Sequence, residues 1–166
     1  RLTAWLAPVL CFTAEEAWTT RGLGAEESVH LRTFPETPES WRDDAVAARW
    51  AEIRNVRRVV TGALELERNA KRIGSSLQAA PQVYVSDAAL GLDPAEIFIT
   101  SDAELIAGEG PEEAFRLEDV EGIAAVPALA DGGKCERCWK VLPEVVEPPV
   151  CKRCADAVGS LETAAE

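Results

Sequence analysis

The sequence predicts an α+β protein: a partial α-helical bundle, then a small mixed α/β domain, then a compact cysteine knuckle. Three observations carry this. Residues 1–80 show helix-period apolar patterns with caps and stops, and residues 81–131 show short β-branched and aromatic runs. The stretch GGKCERCWKVLPEVVEPPVCKRC, Gly132 to Cys154, holds four of the five cysteines as two Cys-x-x-Cys pairs. The predicted divisions are 1–80, 81–131 and 132–158, with 159–166 a frayed tail.

In order along the chain, LTAWLAPVLCFTAEEAWTTRG reads as one or two helices closed by Gly22, with a break at Pro8. Thr13 and Glu16 have capping-box spacing and suggest a helix start at Thr13. SVHLRTFPETPES is a linker or short extended segment. Ser40 or Asp43 then caps a long helix to about Ile73, stopped by Gly74. PQVYVSD and EIFITSDAELIAG read as strands around a short helical stretch, DAALGLDPAE. RLEDVEGIAAVPAL adds one or two more, and GEGPEE is an exposed turn.

The 166 residues are 47% hydrophobic, enough for one or two small cores. No apolar run approaches the ~20 residues of a membrane span. RLTAWLAPVLCF lacks a basic region followed by a cleavage site, so it is not a secretory signal. The expectation is a soluble cytoplasmic protein with no membrane partner, and paired cysteines in a reducing compartment favour metal over disulfides. With no Met and a start at Arg1 inside an apparent helix, the chain reads as a piece of a longer protein.

The net charge of −12 lies wholly in residues 81–166, since residues 1–80 balance 11 bases against 11 acids. Asp87–Asp131 holds 12 acids against one base, Arg116. Such a surface excludes non-specific nucleic-acid binding by the whole molecule, though not by a local basic face.

On a helical wheel of the long helix, Val46, Ile53, Val56, Val59, Val60, Ala63, Leu64 and Leu66 form a core-facing arc. Arg54, Arg57, Arg58, Arg68 and Arg72 form a separate arc. It is either a solvated charged face or a ridge whose guanidinium forks track phosphates.

Cys135-x2-Cys138 and Cys151-x2-Cys154 have the spacing of a structural zinc clasp. Two such turns place four thiolates about 2.3 Å from one Zn²⁺ and leave no open position for chemistry. A redox dithiol or two disulfides fit this spacing less well. Gly132 and Gly133 let the chain enter the turn, and Pro148 and Pro149 stiffen the return. Cys11 lies apart, in an apolar helix, as a buried small hydrophobe. Lys134, Arg137, Lys140, Lys152 and Arg153 crowd the clasp. Trp139 is either the knuckle's small core or a platform for an unpaired base.

The order LAPVLCFTAEEAW, SVHLRTFPE, KRIGSSLQAA, EIFITSDAEL, GGKCERCW and CKRC resembles the carboxy-terminal part of the bacterial isoleucyl-tRNA synthetases, over nearly the whole chain. The resemblance implies that residues 1–80 are the last helices of an anticodon-binding domain, 81–131 a junction domain and 132–158 the zinc module. It implies one structural Zn²⁺ per chain on Cys135, Cys138, Cys151 and Cys154. The implied partner is the anticodon end of isoleucine tRNA, with Trp139, Arg137, Arg153 and the ridge Arg54, Arg57, Arg58, Arg68 and Arg72 as candidate contacts. It also implies separate N-terminal catalytic and editing domains where ATP binds. The HIGH and KMSKS signatures of that catalytic centre cannot be present in a chain with one histidine and no methionine. His30 is expected to pack or hydrogen-bond. The acidic stretch 107–120 departs from a tRNA-facing surface and is expected to point away or be a mobile loop. The rival is a zinc-stabilised protein-interaction module without RNA binding.

Overall fold

A computed structural model of the chain describes residues 1–21, 28–86, 91, 93–146 and 149–163, with side chains through 160. The expected stop at Gly22, the first part of the 87–96 helical stretch and the last residues of the tail lie outside the described residues. The class is α+β, with helices beside a mixed sheet and a terminal cysteine cluster. Two compact units are present, Arg1–Ala45 and Val46–Glu166.

In the first unit, α1 (Leu2–Leu6) and α2 (Cys11–Thr20) are separated by a turn at Pro8, as the proline dictates. Helix α2 starts two residues before Thr13, because the Ala14 N–H already bonds to the Leu10 carbonyl. Its Glu15 carboxylate accepts from Ser28 Oγ and Val29 N–H, which draws the following segment onto the helix. The segment read as a linker contains two 3-10 turns, Val29–Leu31 and Glu39–Trp41. Trp5 and Trp41 meet edge to face at 6.2 Å, and Trp5 Nε1 donates to the Pro35 carbonyl. His30 Nε2 sits 3.2 Å from the Cys11 carbonyl, a hydrogen-bonding position. Cys11 itself is exposed rather than buried, since its side chain leaves the small core of Ala7, Ala14 and Val29.

The long helix α3 (Asp44–Asn69) begins directly after Asp43, and from Val46 onward it belongs to the second unit. It ends earlier than Gly74. Lys71 takes a left-handed φ of 58°, its N–H returns to Arg68 and that of Arg72 to Glu67, closing a Schellman stop without glycine. Ile53, Val56, Val59, Val60, Ala63 and Leu64 are buried, whereas Val46 and Leu66, at the edges of the apolar arc, are exposed.

These side chains pack on a four-stranded sheet of order β2-β1-β4-β3, made of β1 (Gln82–Val85), β2 (Glu104–Ala107), β3 (Phe115–Leu117) and β4 (Val120–Val126). The helix assigned by sequence to the first segment and the strands assigned to the second thus share one core. Val83 sits at its centre, in register with Leu105 on one side and Ala125 on the other. Gly62 lets the sheet approach closely, because a Cβ there would stand 2.7 Å from the Phe115 ring.

Strand β1 runs parallel to β2, so the chain must cross over between them. This overturns the strand expected at Glu96–Thr100. Asp93 caps the Ala95 N–H, Pro94 starts a turn of helix, and Glu96–Phe98 fall in α4 (Pro94–Phe98). Capping chemistry outweighs the β preference of Ile97 and Phe98, whose side chains are buried from the helix instead. The loop at 108–113 is an exposed turn as expected. Arg116 organises it by donating to the carbonyls of Glu109, Pro111, Glu112 and Ala114. Among the described residues no helix is long and apolar enough to cross a membrane.

Ile53 is 1% exposed in this core. Ile53→Val is expected to cost about 1 kcal/mol, read as a lower denaturation midpoint at unchanged m-value.

Candidate metal centre

The clasp is a short ribbon followed by a helix. Strands β5 (Gly133–Lys134) and β6 (Val141–Leu142) pair antiparallel, and the first cysteine pair lies in the turn between them. The Cys135 N–H bonds to the Lys140 carbonyl and the Trp139 N–H to that of Cys135, which folds the turn back on itself. Trp139 takes a left-handed φ of 66°. The second pair brackets the first turn of α5 (Lys152–Thr163). Glu144 joins the halves, accepting from the Lys152 N–H with its carboxylate and pairing with the Lys152 ammonium. The Glu136 N–H reaches the Pro149 carbonyl, while Pro148 lies outside the described residues.

All four Sγ atoms lie within 4.8 Å of one another. Four sulfurs around one tetrahedral ion at 2.3 Å stand about 3.8 Å apart. The Cys138–Cys151 pair is at 3.8 Å. The sulfurs can therefore hold a metal ion, with Cys135, Cys151 and Cys154 buried and Cys138 half-buried.

The electrostatics favour thiolate at Cys135 and Cys154. The backbone N–H groups of Cys138 and Cys151 hold Cys135 below the usual thiol range. The Arg137 guanidinium, 3.7 Å from Cys154 Sγ, lowers that thiol. Cys151 is different: the Cys154 backbone N–H lowers it, but burial and the neighbouring thiols together carry it upward. Arg153 is raised by the Cys138 sulfur. A filled four-sulfur shell leaves no position for a reacting molecule, so the centre is suited to holding structure.

Trp139 is not the small core of the knuckle. Its side chain is 60% exposed, with Lys134 Nζ 5.9 Å from the ring centroid. The core is made by the cysteines and Val145, with Leu142 and Val150 against them. Arg137 and Arg153 stand at the sulfurs, with exposed side chains.

The arginine arc is exposed along α3, but most of it is engaged. Arg57 donates to the Ile97 carbonyl at 3.0 Å, and Arg58 pairs with Asp119 at 2.8 Å. Arg68 pairs with Glu65, and Arg72 with Glu67 at 2.5 Å. Arg72 holds the Glu67 carboxyl below the usual carboxylate range, as Arg58 does for Asp119. Arg54 has no ion pair or hydrogen bond among the described residues. The sequence did not single out Ser101, a buried hydroxyl whose partners are far along the chain.

Comparison with known proteins adds to this geometry. Residues 1–84 match the anticodon-binding domain of tRNA ligase. The isoleucine–tRNA ligase of Brucella abortus biovar 1 (strain 9-941) is 53% identical over 154 residues, 90% of this chain and 16% of that protein. Those of Agrobacterium fabrum and Caulobacter vibrioides are each 51% identical, over 89% and 95% of this chain and 16% and 17% of theirs. The chain thus spans about one-sixth of the length of the curated relatives it matches, in their C-terminal part. With its helical part, half of the chain, matching the anticodon-binding model, the chain belongs to the anticodon-binding domain family of tRNA ligases, and over nine-tenths of its length it is similar to the C-terminal part of isoleucine–tRNA ligases at an identity above one-half.

Proposed function

We propose that this chain is the tRNA-engaging C-terminal end of a cytoplasmic isoleucine–tRNA ligase, and that one structural Zn²⁺ on Cys135, Cys138, Cys151 and Cys154 holds its last module together. The longer protein joins isoleucine to its tRNA using ATP, with catalytic and editing domains outside these residues. Within the chain, 1–80 serve as anticodon-domain helices, 81–131 as a junction and 132–158 as the zinc module, whose helix α5 runs on to Thr163 in the 159–166 tail. In this reading the chain supplies no catalytic residue.

The observation that carries this reading is Trp139, held outward on a closed sulfur centre with Lys134, Arg137 and Arg153 around it. An exposed indole can stack on any unpaired base, and adjacent cations can meet the phosphates. The metal supplies a fixed tetrahedral anchor when bound and takes no part in bond making. Arg54 is the ridge residue best placed to give a phosphate contact, and Arg57, Arg58, Arg68 and Arg72 contribute by exchanging their present partners. Those ion pairs also favour a second reading, a zinc-stabilised protein-interaction module without RNA binding.

The test is metal content by elemental analysis with a titration of isoleucine tRNA at two salt concentrations, on the full-length protein. One zinc per chain is expected, with affinity falling as salt rises. Trp139→Ala is expected to weaken binding about tenfold while keeping the metal. Arg54→Glu should weaken it and flatten the salt slope by about one phosphate contact. Wild-type affinity in both variants would leave the interaction-module reading standing.

A further inference from the structure

We infer that Ser101 is a positioning residue: its hydroxyl fixes the metal ribbon on the α+β core and thereby sets where Trp139 is presented. The second half of this inference rests on the RNA reading above.

Ser101 is 5% exposed. Its Oγ lies 2.5 Å from the Leu77 carbonyl and 2.6 Å from the Val141 backbone nitrogen. A carbonyl only accepts and an amide N–H only donates, so the hydroxyl proton goes to Leu77 and an oxygen lone pair receives Val141. Both bonds are short and partly buried.

On the core side the serine is well held. Its own N–H reaches the Ala79 carbonyl. Leu77 lies in a 3-10 turn closed by a capping box of Ser75 and Gln78, and Gln78 Oε1 also binds the Gly74 and Ser75 N–H groups. The neighbouring backbone is tied across by Ala80 to Ala128 and by Ala130 to Gln78. On the ribbon side, Val141 pairs with Lys134, and Lys140 beside it accepts from Cys135.

The chain enters the ribbon through Gly132, at φ +113°. One covalent entry point leaves a pivot. The Val141–Ser101 bond gives a second point, on the opposite strand of a two-stranded ribbon, and two points confine the rotation to the axis that joins them. Trp139 is two residues before Val141, so the indole's direction follows from that bond. Alanine at 101 would leave a half-buried N–H and a half-buried carbonyl without partners, and the ribbon would turn to satisfy them in water.

The experiment uses the full-length, zinc-loaded protein as wild type, Ser101→Ala, Ser101→Thr and Trp139→Ala. Four quantities are read: zinc content, hydrogen exchange at the Val141 amide, KM for isoleucine tRNA, and tRNA-independent isoleucine activation by pyrophosphate exchange. Ser101→Ala is expected to keep its zinc and its activation rate, to expose the Val141 amide, and to raise the KM about tenfold. Ser101→Thr, which keeps the hydroxyl, should restore both the protection and the KM. Loss of zinc in Ser101→Ala overturns the inference, because the defect is then one of module folding. A wild-type KM in Ser101→Ala beside a raised KM in Trp139→Ala overturns it too, and leaves the RNA reading intact. A wild-type KM in Trp139→Ala sinks the RNA reading itself, and the positioning role with it.

Discussion

Cys135→Ser is expected to abolish metal binding at the proposed four-sulfur site and to unfold everything beyond about residue 132. The module has little else to hold it. Among the described residues its buried side chains are Cys135, Cys151, Cys154 and Val145, so three of the four are candidate ligands. Strands of two residues, such as β5 and β6, are far below the length at which a hairpin stands alone. Structural zinc in small modules contributes on the order of 10–16 kcal/mol at neutral pH, and the buried apolar surface here is too small to replace it. Chelation should act like the substitution, removing the helicity of α5 while the core around Ile53 and Val83 still melts cooperatively. Protons compete with the metal for thiolate, so lowering the pH should release it in the same transition. The measurement is zinc release followed by a chromogenic chelator, alongside far-ultraviolet circular dichroism. A ribbon and helix that survive chelation would show that the metal is not what folds them.

Gly132→Ala is the second large effect, and it reaches the same site through the backbone. Gly132 has a φ of +113°, and a Cβ there would collide with the Leu142 carbonyl group. The side chain would meet backbone on the paired strand, which cannot rotate aside. Strain and overpacking together are expected to cost at least about 3 kcal/mol, expressed as weaker metal binding and a lower midpoint for the module. Gly108→Ala is the control. Its φ of +137° is similarly restricted, but a Cβ there meets nothing within 4 Å, so it should show the conformational strain alone. Equal losses in the two variants would mean that the approach of β6 is not what requires glycine at 132.

Much of this was legible in the sequence because the deciding information is local. A Cys-x-x-Cys turn fixes its own geometry within four residues, and two of them suffice to define the centre. Pro8 broke the first helix, and the β-branched run at Val83 became the central strand. What stayed hidden depends on residues far apart. Glu96–Thr100 look like a strand until Asp93 and Pro94 are weighed as a helix start, and the parallel pairing of β1 with β2 makes a crossover there necessary. The arginine arc looks uniform on a wheel, yet Arg57 and Arg58 find their partners 40 and 61 residues away. Trp139 faces outward because of a left-handed backbone angle that no spacing rule announces. Ser101 left no pattern at all, being one hydroxyl that meets two distant backbone groups.

The loop at 108–113 carries a different consequence. Arg116 grips it through the main-chain oxygens of Glu109, Pro111 and Glu112, with that of Ala114 just beyond it. The path of the loop therefore depends on one guanidinium and on Gly108 and Gly110, at φ +137° and +72°, the second of which has no room for a Cβ against the Tyr84 ring, and hardly at all on its glutamates. Glu109, Glu112 and Glu113 can drift to lysine, serine or glutamine over evolutionary time while the backbone trace stays put. That makes the loop a charge dial: selection, or an engineer, can retune the potential on this flank without refolding it, provided that Arg116 is left alone.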